Sequence, residues 1–141
     1  MAKKICIILI ILISGCVGNN TEINVKFHGK DLKFIFNDKK TILDYEILDM
    51  EGYDNQYGSY KKILEGRNIN AELSEVSISK ESNVGLRNNH AYIFSSGISG
   101  GKNQPGVVLK SIVFCFKNNN VITQYKSESD SDFIKKCKGL I

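Results

Sequence analysis

The stretch VVLKSIVFCFK, residues 107–117, limits the fold more than any other part of the chain. Ile112, Phe114 and Phe116 fall on one side of an extended backbone and Val113 and Cys115 on the other, the period of two that belongs to a β-strand. The same period recurs upstream. Ile23, Val25 and Phe27 alternate with polar neighbours, HGKD supplies a turn, and Leu32, Phe34 and Phe36 alternate again. Beyond the turn-rich NDKK, Leu43, Tyr45 and Ile47 share one face and Asp44, Glu46 and Leu48 the other, which predicts a third strand. Residues 50–60, MEGYDNQYGSY, read as an irregular loop followed by a short edge strand at KKILEG, and Val76 and Ile78 mark another alternation. A strand beginning near His90 carries Tyr92 and Phe94, and residues 95–106 form a Gly/Ser-rich loop holding the only proline, Pro105. Asn118, Asn119 and Asn120 then turn the longest strand into VITQYK as a hairpin. Only DSDFIKKCKGLI looks helical, with an aspartate as cap candidate and Gly139 as a stop signal. Many short strands at fairly regular spacing predict an all-β sandwich with a short C-terminal hairpin and tail.

In NVGLRNNHAYIF, Leu86 precedes Tyr92 by six positions, with polar turn residues between them and a strand starting at the tyrosine. This looks like the tyrosine corner of immunoglobulin-like and fibronectin type III-like domains, in which the hydroxyl bonds to backbone upstream and the leucine plugs the core.

The N-terminus predicts location. Lys3 and Lys4 precede the apolar run from Ile5 to Ile13, then come Ser14, Gly15 and Cys16, the order of a secretory signal. At about nine residues the run is too short to span a bilayer, which takes roughly twenty apolar positions. Ile13, Ser14, Gly15 and Cys16 resemble a bacterial lipobox, which implies cleavage before Cys16 and diacylation of its sulfur. Residues 1–15 then form a lipoprotein signal peptide, residues 16–21 a tether and residues 22–141 one domain. Each acyl methylene contributes about 0.8 kcal/mol of membrane affinity, so two or three chains on Cys16 hold firmly where one would not. Val17 follows the cysteine where an aspartate would retain the protein at the inner membrane in the enterobacterial sorting pattern, so the chain resembles an outer-membrane lipoprotein facing the periplasm.

Composition names no partner. Losing Lys3 and Lys4 lowers the formal net charge of +4 by two, and the basic and acidic residues are interspersed, without the basic stripe that nucleic-acid binding requires. With Cys6 in the signal peptide and Cys16 lipidated, Cys115 and Cys137 remain. Two thiols in an oxidising compartment invite one disulfide, worth roughly 3 kcal/mol by chain entropy, that would pin the tail onto the sheet; the alternative is a core thiol and a tail thiol, both free.

Little points to chemistry. His28 and His90 sit at strand ends without CxxC, HxxxH or HExxH around them, and Asp44, Glu46, Asp130 and Asp132 read as solvated positions, so no cofactor, metal or enzyme activity is expected. SGISGGKNQPG offers glycines and Lys102, but Ser96 stands where a phosphate-binding loop has its first glycine and Asn103 stands where it has Ser or Thr. It reads instead as a connection at one end of the sandwich, where binding surfaces are built, and Lys102 and Asn103 become binding candidates. Tyr53, Tyr57 and Tyr60 form a second candidate surface, since tyrosine gives large contact area at low entropy cost, though three tyrosines in one loop also pack well on a sheet edge.

The lipobox, the strand pairs after it, ISKESNVGLRNNHAYIF and the final apolar strand LKSIVFCF together make the chain similar to a bacterial family of type VI secretion immunity lipoproteins. The chain departs from that pattern in having Asn88 and Asn89 where members carry prolines, and in its cysteine-bearing tail. The resemblance implies a protein that binds a cognate toxin delivered into the periplasm. A second expectation is an accessory envelope lipoprotein that joins an assembly through a sheet edge or its tail.

Overall fold

A computed structural model gives the fold and describes residues 23–54, 59–79, 85–100 and 106–141. Its strands are β1 (Ile23–His28), β2 (Asp31–Asp54), β3 (Ser59–Gly66), β4 (Ala71–Ser79), β5 (Tyr92–Ser99), β6 (Val107–Lys117) and β7 (Asn120–Thr123), and one helix, α1 (Asp130–Cys137), follows. The class is all-β, with every strand pair antiparallel and all seven strands in one sheet among the described residues.

The 24-residue β2 determines the shape of that sheet. Its first part lies between β1 and β4, with Phe34 opposite Val25 on one side and Val76 on the other. Its later part lies between β5 and β3, where Ile47 pairs with Phe94 and Leu64. The change of neighbours coincides with a register shift against β4 between Ile35 and Lys40. Extra residues on one strand of a pair bend it and increase its twist. NDKK, expected as a turn between two strands, is therefore a bend inside one strand.

The loop expected at residues 50–60 is also shorter than its composition suggests. β2 runs on to Asp54, because the Asp49 carboxylate accepts hydrogen bonds from the N–H groups of Glu51 (2.9 Å) and Gly52 (3.1 Å) where the pairing with β3 slips.

Bending brings the two parts of the sheet face to face. Phe34 stacks on Phe94 with ring centroids 3.9 Å apart and meets the edge of Phe114 at 5.3 Å, while Phe27 of β1 packs edge-on against Phe116 of β6 at 5.4 Å. Ile23, Leu32, Ile42, Ile47, Val76 and Ile78 complete this inner core. Tyr92 is fully buried in it. Its hydroxyl accepts the Arg87 N–H at 2.8 Å and reaches the Gly85 carbonyl at 3.5 Å, while Leu86 packs against the same core from upstream. Burial pushes the Tyr92 phenol above its ordinary value, against the pull of the Arg87 backbone.

A smaller core lies on the opposite face of β5 and β6. Met50, Ala91, Cys115, Phe133 and Cys137 are buried there, and Cys115 is disulfide-bonded to Cys137 with their Cα atoms 6.1 Å apart. The helix that covers this core is capped at both ends. Ser129, rather than the expected aspartate, is the N-cap, its hydroxyl accepting the Asp132 N–H at 3.1 Å. At the other end Gly139 has φ +74°, and the N–H groups of Gly139 and Leu140 bond to the carbonyls of Lys136 and Lys135, a Schellman stop.

Candidate functional site: a bare trough beside an ionic clasp

Helix α1 covers only part of the sheet's outer face. Along that face the register sets Leu48, Ile93 and Val113 in one row, then Glu46, Ser95 and Ser111, then Asp44, Gly97 and Leu109. The first row leads to Cys115 and the core under the helix. Asp44, Glu46, Ser95 and Leu109 of the next two rows line an open cavity of about 500 Å³, walled by Lys62, Glu65 and Arg67 from the β3 side. Ser95 and Gly66 are its small lining residues, set among larger polar ones. A methyl group on Gly97 would stand 2.6 Å from Oδ1 of Asp44, which instead accepts the Gly97 N–H at 2.9 Å, and the Ser96 hydroxyl donates to the Asp44 carbonyl at 2.9 Å. These bonds carry β5 through residues 95–99, which composition assigned to a loop.

Charge along the rim is paired. Lys62 Nζ lies 2.8 Å from Glu65 and 3.2 Å from Glu46, and these carboxylates hold its ammonium above the ordinary lysine value. Arg67 Nε meets Glu65 at 3.0 Å. The β6 side of the trough is apolar, with Leu109 72% and Val107 63% exposed. Charged wall and exposed aliphatic rim make a surface suited to contact with another macromolecule.

A few residues farther along β2 is a cluster that sequence reasoning missed. His90 Nε2 lies 2.6 Å from Asp49 Oδ1, His90 Nδ1 lies 3.0 Å from Glu51 Oε2, Ala91 N–H donates to Glu51 Oε2 at 3.0 Å, and Lys138 Nζ meets Glu51 Oε1 at 2.6 Å. Each carboxylate thus faces one ring nitrogen of His90, and Glu51 faces the Lys138 ammonium as well. Burial raises the Asp49 carboxyl, but the hydrogen bonds and charge of His90 and the Glu51 and Gly52 backbone outweigh it and hold the group below its ordinary value. Glu51 is likewise raised by burial and lowered further by Lys138, Ala91 and His90, ending below its ordinary value. With both ring nitrogens engaged, His90 fastens β2, the start of β5 and the end of α1 together and has no free nitrogen to offer a substrate. Glu51 fell in the stretch read as an irregular loop, and the partners of Asp49 and Glu51, His90 and Lys138, lie 41 and 87 positions along the chain from them.

The clasp makes stability pH-dependent in a defined direction. Both carboxyls are depressed in the folded state, so their contribution is full above their unfolded values and is lost as pH falls through the folded ones. The urea midpoint is expected to hold from pH 7 to about pH 5 and to drop below about pH 4. His90→Gln should cost about 2 kcal/mol at pH 7 and flatten that acid limb, because the carboxylates lose the cation that lowers them. Parallel acid limbs for variant and parent would refute the assignment.

The residues expected to form the site are dispersed. Cys16, Tyr57, Lys102 and Asn103 lie outside the described residues, as does the side chain of Tyr53, whose backbone pairs with Tyr60. Tyr60 is half-buried against the core of Met50, Ala91, Cys115, Phe133 and Cys137, so it packs. Ile42 pairs with Ile98 and Asp49 with Tyr92, so the described ends of segments 53–60 and 97–105, Tyr60 and Ser99, flank opposite ends of the β2–β5 pairing. Among the described residues no group of three or more His, Cys, Asp or Glu is placed to hold a metal ion, and no helix is long and apolar enough to cross a membrane. No protein-family model, curated protein or solved structure matches the chain.

Proposed function

We propose that the chain is a lipid-anchored, periplasm-facing binding protein that neutralises a secreted antibacterial toxin, in the manner of type VI secretion immunity lipoproteins. The lipobox-like ISGC sequence ending at Cys16 supports the anchor and the outer-membrane location. The observation that carries the binding role is the trough: a sheet face half covered by a disulfide-fastened helix and half bare, rimmed by exposed Val107 and Leu109. A surface of that kind holds a partner by shape and charge. The engaged nitrogens of His90 favour binding over catalysis.

The finer fold belongs to the same reading. A sandwich of the immunoglobulin or fibronectin type III kind, with β2 contributing to both layers and Tyr92 and Leu86 as its tyrosine corner, is supported by the Phe34–Phe94 stack and by the Tyr92 hydroxyl bonding upstream. The bare edge of β6 also favours a second reading, an accessory protein joining an envelope assembly. Neighbouring genes separate the two: a toxin gene beside this one supports immunity, and genes for envelope machinery support assembly. Isothermal calorimetry of the mature protein with the toxin encoded beside it should give nanomolar binding together with loss of toxin activity. No heat and no inhibition would overturn the proposal.

A further inference from the structure

The hairpin between β6 and β7 fixes which way every backbone group of β6 points. Asn118 and Asn119 both have positive φ, +48° and +72°, the signature of a two-residue type I′ turn, so the flanking Lys117 and Asn120 exchange hydrogen bonds. Polar groups of alternate residues in an antiparallel strand point to alternate sides, so Cys115 and Val113 also face β7; the Val113 carbonyl indeed accepts the Gln124 N–H at 3.0 Å. Even-numbered residues face β5, as the Phe116 carbonyl does in accepting the Asn89 N–H at 2.9 Å. The ladder with β7 ends at Phe114. From there back to its start, β6 pairs only with β5 among the described residues, so the N–H and C=O groups of Val107, Leu109 and Ser111 point outward from an open edge.

We propose that this edge is where the partner binds, by adding an extended strand of its own antiparallel or parallel to β6 and laying the adjoining surface into the trough. The inference rests on reading the chain as a protein-binding module and goes further by naming the mode of recognition. Open strands in natural proteins are guarded by charge, proline, bulges or covering elements, because their backbone groups pair readily with another chain. Here Leu109 and Val107, exposed on the same face as the trough, mark the edge as one meant to be covered.

A second copy of this chain is a poorer occupant than a different protein, for two reasons. Two-fold antiparallel pairing centred on Leu109 sets Lys110 opposite Val108 of the other copy and leaves the two Lys110 side chains as diagonal neighbours, a like-charge contact. That symmetry also places both troughs side by side on one face of a continuous sheet, so neither covers the other, and a short strand pair alone falls short of the roughly 1,000 Å² a stable interface needs. A distinct partner can pair with the edge and fill the trough together. Its strand would place an apolar residue beside Leu109 and an acidic one beside Lys110.

Leu109→Pro tests this, since its N–H points away from β5 and proline is tolerated on such an edge without loss of an internal ladder bond. Leu109→Asp, at the same exposed position, keeps the N–H and opposes an acidic strand. Both variants should keep the parental circular dichroism. Each is expected to bind the toxin encoded beside the gene about 50-fold more weakly than the parent or worse. Parental binding by both variants would overturn the inference while leaving the toxin-binding role intact. Should the parent itself not bind that toxin, the functional reading fails and the edge is judged with the peptide acetyl-Glu-Val-Glu-Val-Glu-Val-Glu-amide. Amide shifts at residues 107, 109 and 111 that vanish in Leu109→Asp would support strand addition, and unmoved amides would end it. A parent that sediments as a dimer dispersed by Leu109→Pro would make a second copy the occupant and overturn the choice made here.

Discussion

Phe34→Ala is expected to cost about 4 kcal/mol, the largest loss of any single aromatic truncation in the inner core. Phe34 is fully buried on the first part of β2, and its ring touches Phe94 of β5 face to face and Phe114 of β6 edge-on. Those contacts join the two parts of the curled sheet, and no relaxation of one part alone can fill the space the ring leaves. The loss therefore combines removed apolar burial, a residual cavity and two ring pairs. Leu109→Ala, at the exposed rim of the trough, should change stability by less than about 0.5 kcal/mol. Urea unfolding of the two variants makes the comparison. A cost below about 1.5 kcal/mol for Phe34→Ala would mean that the sheet does not close over this ring, and the positions of the trough and the β6 edge would have to be redrawn.

The period-two signal was legible because it is local. Each of the alternations at Ile23, Leu32, Val76, Tyr92 and Ile112 became a strand, and the Asn118–Asn119 turn became a hairpin, since two adjacent residues with positive φ suffice to define it. What was not legible depends on partners far away. NDKK has the composition of a turn, and only the handover from β1 to β5 on one side, with β4 kept on the other across a register shift, makes it a bend within β2. Residues 95–99 look like a loop by their glycine and serines, yet Asp44, 53 positions earlier, bonds to Gly97 and holds them in the sheet. The trough follows from that same contact, and so it was missed with it. The ionic clasp was missed because His90, Asp49, Glu51 and Lys138 come from three separate elements, and no spacing rule joins them. The tyrosines at positions 53, 57 and 60 drew attention by residue type, whereas the open cavity is lined by Asp44, Glu46, Lys62, Ser95 and Leu109, whose chemistry is unremarkable one residue at a time.

Removing the disulfide, by Cys115→Ala with Cys137→Ala or by reduction, is expected to cost about 3 kcal/mol, because the bond closes a segment of 22 positions and so limits the unfolded chain. The loss should not be spread evenly. Cys115 is fixed in β6, between its pairing with β7 and the inner core, whereas Cys137 is held by an eight-residue helix that is too short to be stable alone. Without the bond, α1 keeps Phe133, the Lys138–Glu51 ion pair and its own caps, and these must offset the entropy of docking the tail unaided. Amides of residues 130–138 should therefore exchange much faster than those of β5, and freeing α1 would expose Ile93 and Val113 and extend the bare trough along the whole outer face of β5 and β6. Hydrogen exchange with and without reductant measures both effects. Equal slowing or quickening in α1 and β5, with an unchanged melting temperature, would show that the helix is held by packing alone and that the bond does not set how much of the sheet stays open to a partner.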